Sequence, residues 1–355
     1  RIAGLPVDLA AYASILGILG AGGYVDESLA EVDYGDDHYT CFQFPYDWRR
    51  DNIENARLLL EFIHEKRREV EAEHLRRFGR SGAPVKFDIV AHSMGGLIAR
   101  YMLMYGGNEP AADGSPHRLT WEGARNVDKV LLVGTPNDGA LDALLQLIDG
   151  YRPAPLLSSY PPELLGTMPA IYQLLPDPKI QQVTLSANGR LLDYLDAAVW
   201  KSQQWGMFSP TADKILRDLL PEVGDPSERR AIAQRHAANC IRRARVFRRA
   251  LAVEHELPRG LQLELYAGDA AETPQSLEFT AGGDLKVAST AAGDGTVLRA
   301  SALHDQRRSD ERNRPIRSPI PWTKVVFLQR SHLGLTKDPT FADNVLYTLL
   351  LEPKR

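Results

Sequence analysis

The sequence predicts an α/β protein in which helices cover both faces of a mostly parallel sheet and an inserted, mainly helical cap interrupts the core. Helical and strand patterns alternate along the chain, as they do in layered α/β folds. The strand patterns around Val90 and Leu131 are short, continuous apolar runs, which are typical of strands with helices on both sides. From residue 140 to 258, helical patterns follow one another without clear strands. We therefore expect a core of residues 1–139 and 259–355 and a cap of residues 140–258.

The composition is that of an ordinary globular protein. Of the 355 residues, 44% are hydrophobic and 25% are charged, which excludes a disordered or collagen-like chain. The formal net charge of −4 gives no reason to expect nucleic acid as a partner. Two cysteines, Cys41 and Cys240, are too few for a disulfide framework, and the sequence leaves open whether they pair.

The first predicted element is a buried helix. The uncharged stretch from Leu9 to Val25 falls a little short of the roughly 20 residues of a membrane span, and Asp8 is placed to cap its start. No signal-peptide pattern opens the chain, and the sequence assigns no cellular compartment. Tyr39–Phe44 is predicted to be a strand from its β-branched and aromatic residues. Asn52–Phe78 is predicted to be a long amphipathic helix from an apolar period of about 3.6 residues.

The later elements follow from the same two patterns. Short apolar runs predict strands, and apolar residues at helical spacing predict helices. The predicted elements are a strand at Val85–Val90, a helix at Leu97–Tyr105, strands at Lys129–Val133 and Leu261–Tyr266, a hairpin at Ser276–Ser289, a strand at Lys324–Leu328 and a closing helix at Asp338–Leu350.

Ser93 is the candidate nucleophile. It lies between an apolar strand and the start of a helix, where a sharp turn exposes a serine hydroxyl to substrate. Ala91 and Gly95 are small enough for strand and helix to pack closely around the turn, although alanine stands where glycine is usual. The following helix directs its first N–H groups at a developing oxyanion, so the N–H of Met94 is the predicted donor. The structural alternative is an ordinary serine in a βα turn.

If the chain order is serine, acid and then histidine, the base comes late in the chain. His332 follows the last predicted strand, in a loop that reaches the carboxyl edge of the sheet, and is the predicted base. His304 lies in a charged segment, where we expect a solvated loop histidine. His92 adjoins Ser93, but its side chain is expected to point away from the serine along the turn.

Two aspartates are candidates for the acid that orients the histidine. Asp269 follows the predicted strand Leu261–Tyr266. Asp294 lies in the glycine-flanked turn Gly293–Val297, which would hold a carboxylate in a fixed geometry. The residues alone leave the choice between them open.

Six blocks of sequence, spread over nearly the whole chain, point in one direction. They are Phe44–Arg49, Ala91–Gly96, Gly134–Pro136, Met168–Pro176, Gly293–Val297 and Ser331–Leu333. In this order they resemble the lecithin:cholesterol acyltransferase-like family of α/β-hydrolases. The resemblance implies an α/β-hydrolase fold and acyl transfer from phospholipids or neutral lipids through a serine ester. Because the family's acid lies in a Gly-Asp-x-Thr-Val turn, it also implies that Asp294 is the acid beside Ser93 and His332, with Asp269 as the runner-up.

The chain departs from the family's pattern in two places. Family members carry an early strand that ends in a Pro-Gly or His-Gly loop and supplies a second oxyanion donor, and no such segment precedes Arg1 in this sequence. We therefore expect that the natural chain begins upstream of Arg1 and that the first strands of the core lie there. The cysteine pair that closes a lid in some animal members is also absent, so no lid disulfide is expected.

Three further features have a structural and a functional interpretation. Asp47 and Trp48 are candidate substrate or cap contacts, and tryptophan packing beside an Asp–Arg pair is the alternative. The arginine-rich stretch Arg229–Arg249 is interpreted as a solvated helix face, with contact to anionic phospholipid as the alternative. The acidic cluster Asp33–His38 lacks a recognised ligand spacing, so we expect a surface loop there and neither a metal nor an organic cofactor.

These observations lead to a serine-dependent lipase or O-acyltransferase that acts on lipid esters through an acyl-enzyme. The expected partner is a lipid or another hydrophobic ester, with transient contact to a lipid surface and no obligate protein partner. A general carboxylesterase and an inositol deacylase-like hydrolase are alternatives within the same chemistry. A non-catalytic lipid-binding protein is the alternative from another class, and the presence of serine, acid and histidine together counts against it.

Overall fold

The chain is arranged around a four-stranded parallel sheet. A computed structural model describes residues 6–28, 39–79, 84–110, 118–152, 158–280, 283–307, 311 and 313–351. The strands are β1 (Phe87–His92), β2 (Val127–Val133), β3 (Val183–Leu185), β4 (Gln262–Gly268), β5 (Ala271–Phe279), β6 (Leu285–Gly293) and β7 (Lys324–Leu328). The parallel sheet has the order β1-β2-β4-β7, so the carboxyl ends of its strands meet at one edge.

Helices lie between the successive strands of the parallel sheet. The helices of the chain are α1 (Pro6–Ala21), α2 (Asn52–Phe78), α3 (Met94–Tyr105), α4 (Leu141–Asp149), α5 (Pro162–Leu165), α6 (Pro169–Gln173), α7 (Ala197–Gln203), α8 (Asp213–Leu219), α9 (Pro226–Leu251), α10 (Arg299–Leu303) and α11 (Pro339–Leu346). The predicted long helix occurs at the predicted residues. The Asp51 carboxylate caps its start by accepting from the Ile53 N–H, and Gly79 ends it in the left-handed conformation.

Helices cover both faces of the parallel sheet, as β2 shows. Its side chains alternate between the two faces and pack against different helices on each. Val130 and Leu132 pack into a cluster with residues of α2, α3 and α9. Leu131 and Val133 pack into a cluster with residues of α1 and α11. All four side chains are completely buried. The predicted layered α/β arrangement is therefore confirmed.

The segment between β2 and β4 is mainly helical. Helices α4 to α9 share a hydrophobic cluster of their own, in which Tyr172, Trp200 and Trp205 are buried. The short strand β3, which the sequence analysis did not predict, joins a second sheet of order β3-β5-β6. In this sheet β3 is parallel to β5, and β5 is antiparallel to β6. Because β5 and β6 follow β4, the small sheet ties the helical segment to the later part of the chain.

The predicted buried helix, α1, packs one side against the sheet and leaves the other side exposed, including Tyr12. Ile15 and Leu19 are each 8% exposed and lie in the same cluster as β2. Helix α1 begins at Pro6, however, so Asp8 lies inside the helix and the predicted N-cap is wrong. Proline suits a first helical turn because the N–H that it lacks would have no partner there. Within the described residues, no helix is long and apolar enough to cross a membrane.

The predicted strand at Tyr39–Phe44 is not formed. Cys41 makes only an isolated bridge with Asp26. A cavity of about 740 Å³ is lined by both this segment and β1, and the two do not pair with each other. A regular strand needs hydrogen bonds to a neighbour along its whole length, and among the described residues the backbone of this segment bonds to Val25 and Glu27 only at Thr40 and Cys41.

Candidate active site

Ser93 lies at the turn between β1 and α3, at the carboxyl edge of the parallel sheet. Its backbone has φ 53° and ψ −127°, a conformation that residues other than glycine rarely adopt. The Ser93 N–H donates to Val133 O at 2.8 Å, and the Gly96 N–H donates to Ser93 O at 3.0 Å. Strained backbone of this kind is typical of functional turns, where it exposes the side chain at the top of the sheet.

The turn is compact because residue 96 is glycine. A Cβ atom on Gly96 would lie 2.0 Å from Thr135 Oγ1 and 2.8 Å from Thr135 Cβ. Helix α3 therefore packs directly against the loop that follows β2. Gly95 is the residue expected to allow the close approach, but a Cβ there would meet only the Tyr46 hydroxyl, at 3.7 Å. The close approach that requires glycine thus lies one residue later than expected.

His332 lies between Ser93 and Asp294. Its Nε2 is 3.0 Å from Ser93 Oγ, and its Nδ1 is 2.8 Å from Asp294 Oδ2. Because a carboxylate only accepts hydrogen bonds, Nδ1 carries the proton and donates to Asp294. Nε2 is then free to accept from the Ser93 hydroxyl. Three side chains from separate segments thus form one continuous chain of hydrogen bonds.

The Asp294 carboxylate is fixed through both of its oxygens. Oδ1 accepts from the Thr296 N–H at 2.9 Å and the Val297 N–H at 2.7 Å, while Oδ2 faces His332. The two backbones are also joined, since the His332 N–H donates to Asp294 O at 2.9 Å. Asp294 is only 2% exposed, so hydrogen bonds rather than water hold its orientation.

The alternative acid, Asp269, has other partners. Its Oδ2 lies 3.7 Å from Arg299 Nη1, and its N–H donates to Leu328 O at 3.4 Å. The described structure contains no hydrogen bond between Asp269 and His332. It brings Asp294 to the histidine instead.

His92 contacts the candidate base rather than the candidate nucleophile. The ring centres of His92 and His332 are 5.2 Å apart, and His92 Nε2 lies 3.5 Å from His332 O. Burial, followed by the charge of His332, lowers the pKa of His92 to about 4. His92 is therefore neutral at neutral pH and packs against His332 without adding a charge to the site.

His304 is buried, and the prediction that it is solvated is wrong. It ends α10 in the left-handed conformation, is 3% exposed and has its Nε2 3.9 Å from Asp138 Oδ1. The charged residues that suggested exposure pair with each other, because Arg307 Nε donates to Asp305 at 2.9 Å. The charge of the segment therefore does not draw His304 to the surface.

Met94, the predicted oxyanion donor, is the first residue of α3. The N–H groups of a first helical turn have no partner within the helix, and the helix dipole places partial positive charge there. This position suits a donor to an oxyanion formed at Ser93. The role of Met94 stays a prediction.

Asp47 and Trp48 have structural partners. Asp47 pairs with Arg49 through both carboxylate oxygens, at 2.8 and 2.7 Å, and these hydrogen bonds lower the pKa of Asp47 to about 2. Trp48 packs against the hydrophobic cluster of helices α4 to α9. Trp48 thus connects the core to the helical segment. Contact of Asp47 or Trp48 with substrate stays a prediction.

Asp142, in the first turn of α4, is a site residue that the sequence analysis missed. Burial, followed by the charge of Asp294, raises the pKa of Asp142 to about 6, and the charge of His332 opposes this rise. A further carboxylate therefore lies within electrostatic reach of the candidate acid and base. An aspartate in the first turn of a helix is common, so the sequence offered no distinguishing signal.

The structure gives no candidate metal centre in the part of the chain that it describes. No group of three or more His, Cys, Asp or Glu side chains is arranged there to hold a metal ion. The acidic cluster Asp33–His38 lies outside the described residues. Cys41 and Cys240 are both free thiols, which answers the question of their pairing. Burial raises the pKa of each thiol to about 12, so neither is a thiolate at neutral pH.

Comparison with solved structures concerns the fold. Among 11 matching chains is one from the crystal structure of the Tle4–Tli4 complex, which has 13% sequence identity and a TM-score of 0.54. The match covers 89% of this chain and 72% of that chain. At this identity the likeness extends to the fold alone, and it agrees with the layered α/β arrangement. No curated protein matches the sequence.

Comparison with family models identifies the family. The model described as lecithin:cholesterol acyltransferase matches residues 24–208, which is more than half of the 355 residues. The matched region contains Ser93 and much of the helical segment, and it ends before Asp294 and His332. The chain belongs to the lecithin:cholesterol acyltransferase family.

Proposed function

We propose that the protein is a serine-dependent lipase or acyltransferase that acts on lipid esters through an acyl-enzyme. One observation carries the proposal: the hydrogen-bonded chain from Ser93 through His332 to Asp294. Family membership supports a lipid ester as the substrate. Neutral serine hydroxyls are weak nucleophiles, and this arrangement supplies the base that a serine needs.

The first half-reaction forms the acyl-enzyme. Ser93 Oγ attacks the carbonyl carbon of the ester while His332 Nε2 takes the hydroxyl proton. Asp294 stays ionised and stabilises the resulting imidazolium, and the Met94 N–H binds the oxyanion. The bond between the carbonyl carbon and the alcohol oxygen then breaks. His332 gives its proton to the departing alcohol, and the acyl group remains on Ser93.

The second half-reaction releases the acyl group. Water or a second alcohol attacks the acyl carbon, and His332 Nε2 takes the proton of the attacking oxygen. When the bond to Ser93 Oγ breaks, the proton returns to the serine. Hydrolysis and transfer share every residue and differ only in the acceptor, so the exclusion of water from the site decides between them.

Residues 140–258 are the proposed cap over this site. Helix α4 begins directly after the loop that follows β2. The charges of Asp294 and His332 shift the pKa of Asp142 in its first turn. Helices α4 to α9 share one hydrophobic cluster, which supports treating the segment as a single structural unit. Its shape would select the acyl chain and the acceptor.

Labelling with a fluorophosphonate probe tests whether the full-length protein is a serine enzyme. The wild type and a Ser202→Ala control on the exposed surface of α7 should be labelled, and Ser93→Ala should not. Folding of each variant is checked by its far-ultraviolet circular dichroism. A well-folded wild type that stays unlabelled would contradict the enzyme and favour a non-catalytic lipid-binding protein.

Product analysis tests the substrate class. The full-length protein is incubated with a phospholipid, with and without glycerol or a sterol, and the products are identified by mass spectrometry. Free fatty acid indicates hydrolysis, and an acylated acceptor indicates transfer. Turnover of short-chain soluble esters without either lipid product would exclude a lipase or acyltransferase and leave a general carboxylesterase.

A further inference from the structure

The arginines of α9 fall into two groups. Five are held by partners in the protein: Arg229 by Val223 O, Arg230 by Asp213, Arg243 by Asp51 and Glu109, Arg245 by Asp193, and Arg248 by Asp138. The other three, Arg235, Arg242 and Arg249, are exposed. In the described structure none of these three side chains forms a hydrogen bond or an ion pair. We call these three residues the α9 arginine stripe.

The three residues of the stripe lie on one line along the helix. They are spaced seven residues apart, which is close to two helical turns, so their directions differ by only about 20° per step. At about 1.5 Å per residue the stripe is roughly 21 Å long. The helix and its first following residues contain no acidic residue from Arg229 to Val253.

The acidic residues that contact α9 near its middle pair with other arginines of the helix. Asp193 and Glu109 already pair with Arg245 and Arg243. Glu228 precedes the stripe and Glu254 follows it. Neither of these two pairs with an arginine of the stripe in the described residues. The flanking acids therefore do not neutralise the stripe, and its three guanidinium groups are open to solvent or to an anionic ligand.

We propose that the α9 arginine stripe docks on the surface of an anionic phospholipid membrane. Guanidinium groups form two parallel hydrogen bonds with a phosphate oxygen pair, and a row of three matches a plane of headgroups. The net charge of −4 opposes approach to an anionic surface, whereas the three positive charges of the stripe attract this face to it within a Debye length. The inference rests on the proposed function, since docking would bring the enzyme to its lipid ester.

Vesicle flotation tests the proposal directly. The full-length Ser93→Ala protein, which should leave lipid intact, is mixed with phosphatidylcholine vesicles with or without phosphatidylglycerol. Each basic residue near an anionic surface strengthens binding by about fivefold. Replacing Arg235, Arg242 and Arg249 by glutamine should therefore weaken binding to phosphatidylglycerol vesicles by about 100-fold. Raising the salt concentration should also weaken vesicle binding by the protein with all three arginines, because salt screens surface charge.

A matched variant removes the same charge elsewhere. Arg68→Gln, Arg125→Gln and Arg190→Gln change three exposed arginines on other elements and should leave vesicle binding within a few-fold. Equal loss in both triple variants would overturn the proposal, because net charge and not the stripe would then govern binding. Undiminished binding of the stripe variant would overturn it as well. Circular dichroism and thermal melting show that both variants are folded.

Activity on a soluble short-chain ester separates this inference from the proposed function. The stripe variant made on the active protein should cleave that ester at the wild-type rate and cleave phosphatidylglycerol vesicles more slowly. If the wild type cleaves no ester but still floats with anionic vesicles, the proposed function fails and the docking surface stands. If it cleaves the soluble ester and binds single-stranded RNA but not the vesicles, the docking surface fails.

Discussion

At the residue scale, the site depends on one carboxylate that is held in a single orientation. Asp294 receives two backbone N–H donors on Oδ1, so Oδ2 is left to face His332. An asparagine at this position has the same shape, but with its oxygen held by the two N–H groups it presents its NH2 group, a donor, to His332 Nδ1 and has no charge to stabilise the imidazolium. The geometry is retained and the electrostatic contribution is lost.

Asp294→Asn should therefore lower kcat by about 10³- to 10⁴-fold with little change in KM. Asp269→Asn is the matched control, because its carboxylate faces Arg299 rather than His332. Steady-state kinetics on a soluble ester measures both variants. If Asp269→Asn abolishes turnover while Asp294→Asn retains it, the acid has been assigned to the wrong residue.

Asp142 adds a pH-dependent effect on stability. The folded protein raises the pKa of Asp142 from its ordinary value of 3.8 to about 6. The folded state therefore binds the proton more tightly than the unfolded chain does. The resulting stabilisation is complete below about pH 4 and is lost as the pH rises through about 6. Asp142→Asn should therefore raise the free energy of unfolding by on the order of 1 kcal/mol at about pH 8, and leave it nearly unchanged at about pH 4.

Urea unfolding at the two pH values measures the effect of Asp142→Asn. Asp218→Asn, on the exposed side of α8, serves as the control for removal of a surface carboxylate. An Asp142→Asn variant that gains stability equally at both pH values would contradict the account of the raised pKa.

At the scale of elements, the contact between α3 and the loop after β2 sets the position of the nucleophile. Gly96 allows this contact, since an added Cβ would overlap Thr135. Thr135 is completely buried, so it has little room to move away. The helix that carries Met94 at its start thus packs against the loop that follows β2.

Gly96→Ala should lower the free energy of unfolding by about 1–3 kcal/mol, because the new methyl group overpacks this contact. Gly95→Ala introduces the same methyl group one residue earlier, where the nearest atom is 3.7 Å away. That control should be neutral or gain up to about 1 kcal/mol from helix propensity. Denaturant unfolding compares the two. Equal losses would show that the Thr135 contact is not the cause.

Elements with a clear local pattern could be predicted from the sequence. Helix α2 and strand β7 begin and end at the predicted residues, because a cap, a glycine or an apolar run marks each limit. The segment Tyr39–Phe44 has the composition of a strand, but pairing depends on a neighbour that composition does not reveal. Strand β3 has only three residues, which is too short for a period to be detected.

At the scale of the whole molecule, α9 is fastened to the core by a buried ion pair. Arg248 Nη2 lies 3.0 Å from Asp138 Oδ1 and donates to Asn137 O at 2.6 Å. Burial raises the pKa of Asp138 to about 6, while the charge of Arg248 opposes this rise. Arg248 is 5% exposed and Asp138 is 4% exposed. The pair therefore joins the helical segment to the loop that also positions α3.

Breaking this pair by Arg248→Met should cost about 3–5 kcal/mol of unfolding free energy, because Asp138 is left buried without its cation. The double variant Arg248→Met with Asp138→Leu should recover most of that loss, since neither charge then remains to be desolvated. Urea unfolding of the two single variants and the double variant measures the coupling. Additive losses would contradict a direct interaction.

The site was predictable to the extent that each member has a local signal. The turn around Ser93 and the glycine-flanked turn of Asp294 are both visible in the sequence, whereas the choice between Asp294 and Asp269 needed the resemblance or the structure. The burial of His304 and the approach of Asp142 to Asp294 depend on packing between distant segments. The spacing of residues in the sequence does not predict contacts of this kind.

Direct detection of an acyl group on Ser93 tests the central claim. The full-length protein is mixed with a p-nitrophenyl ester, quenched with acid and analysed by intact-mass and peptide mass spectrometry. An adduct of one acyl group on the peptide that contains Ser93 is expected in the wild type and not in His332→Ala. Steady turnover of the ester by a Ser93→Ala variant, with no adduct on this peptide in the wild type, would contradict the account.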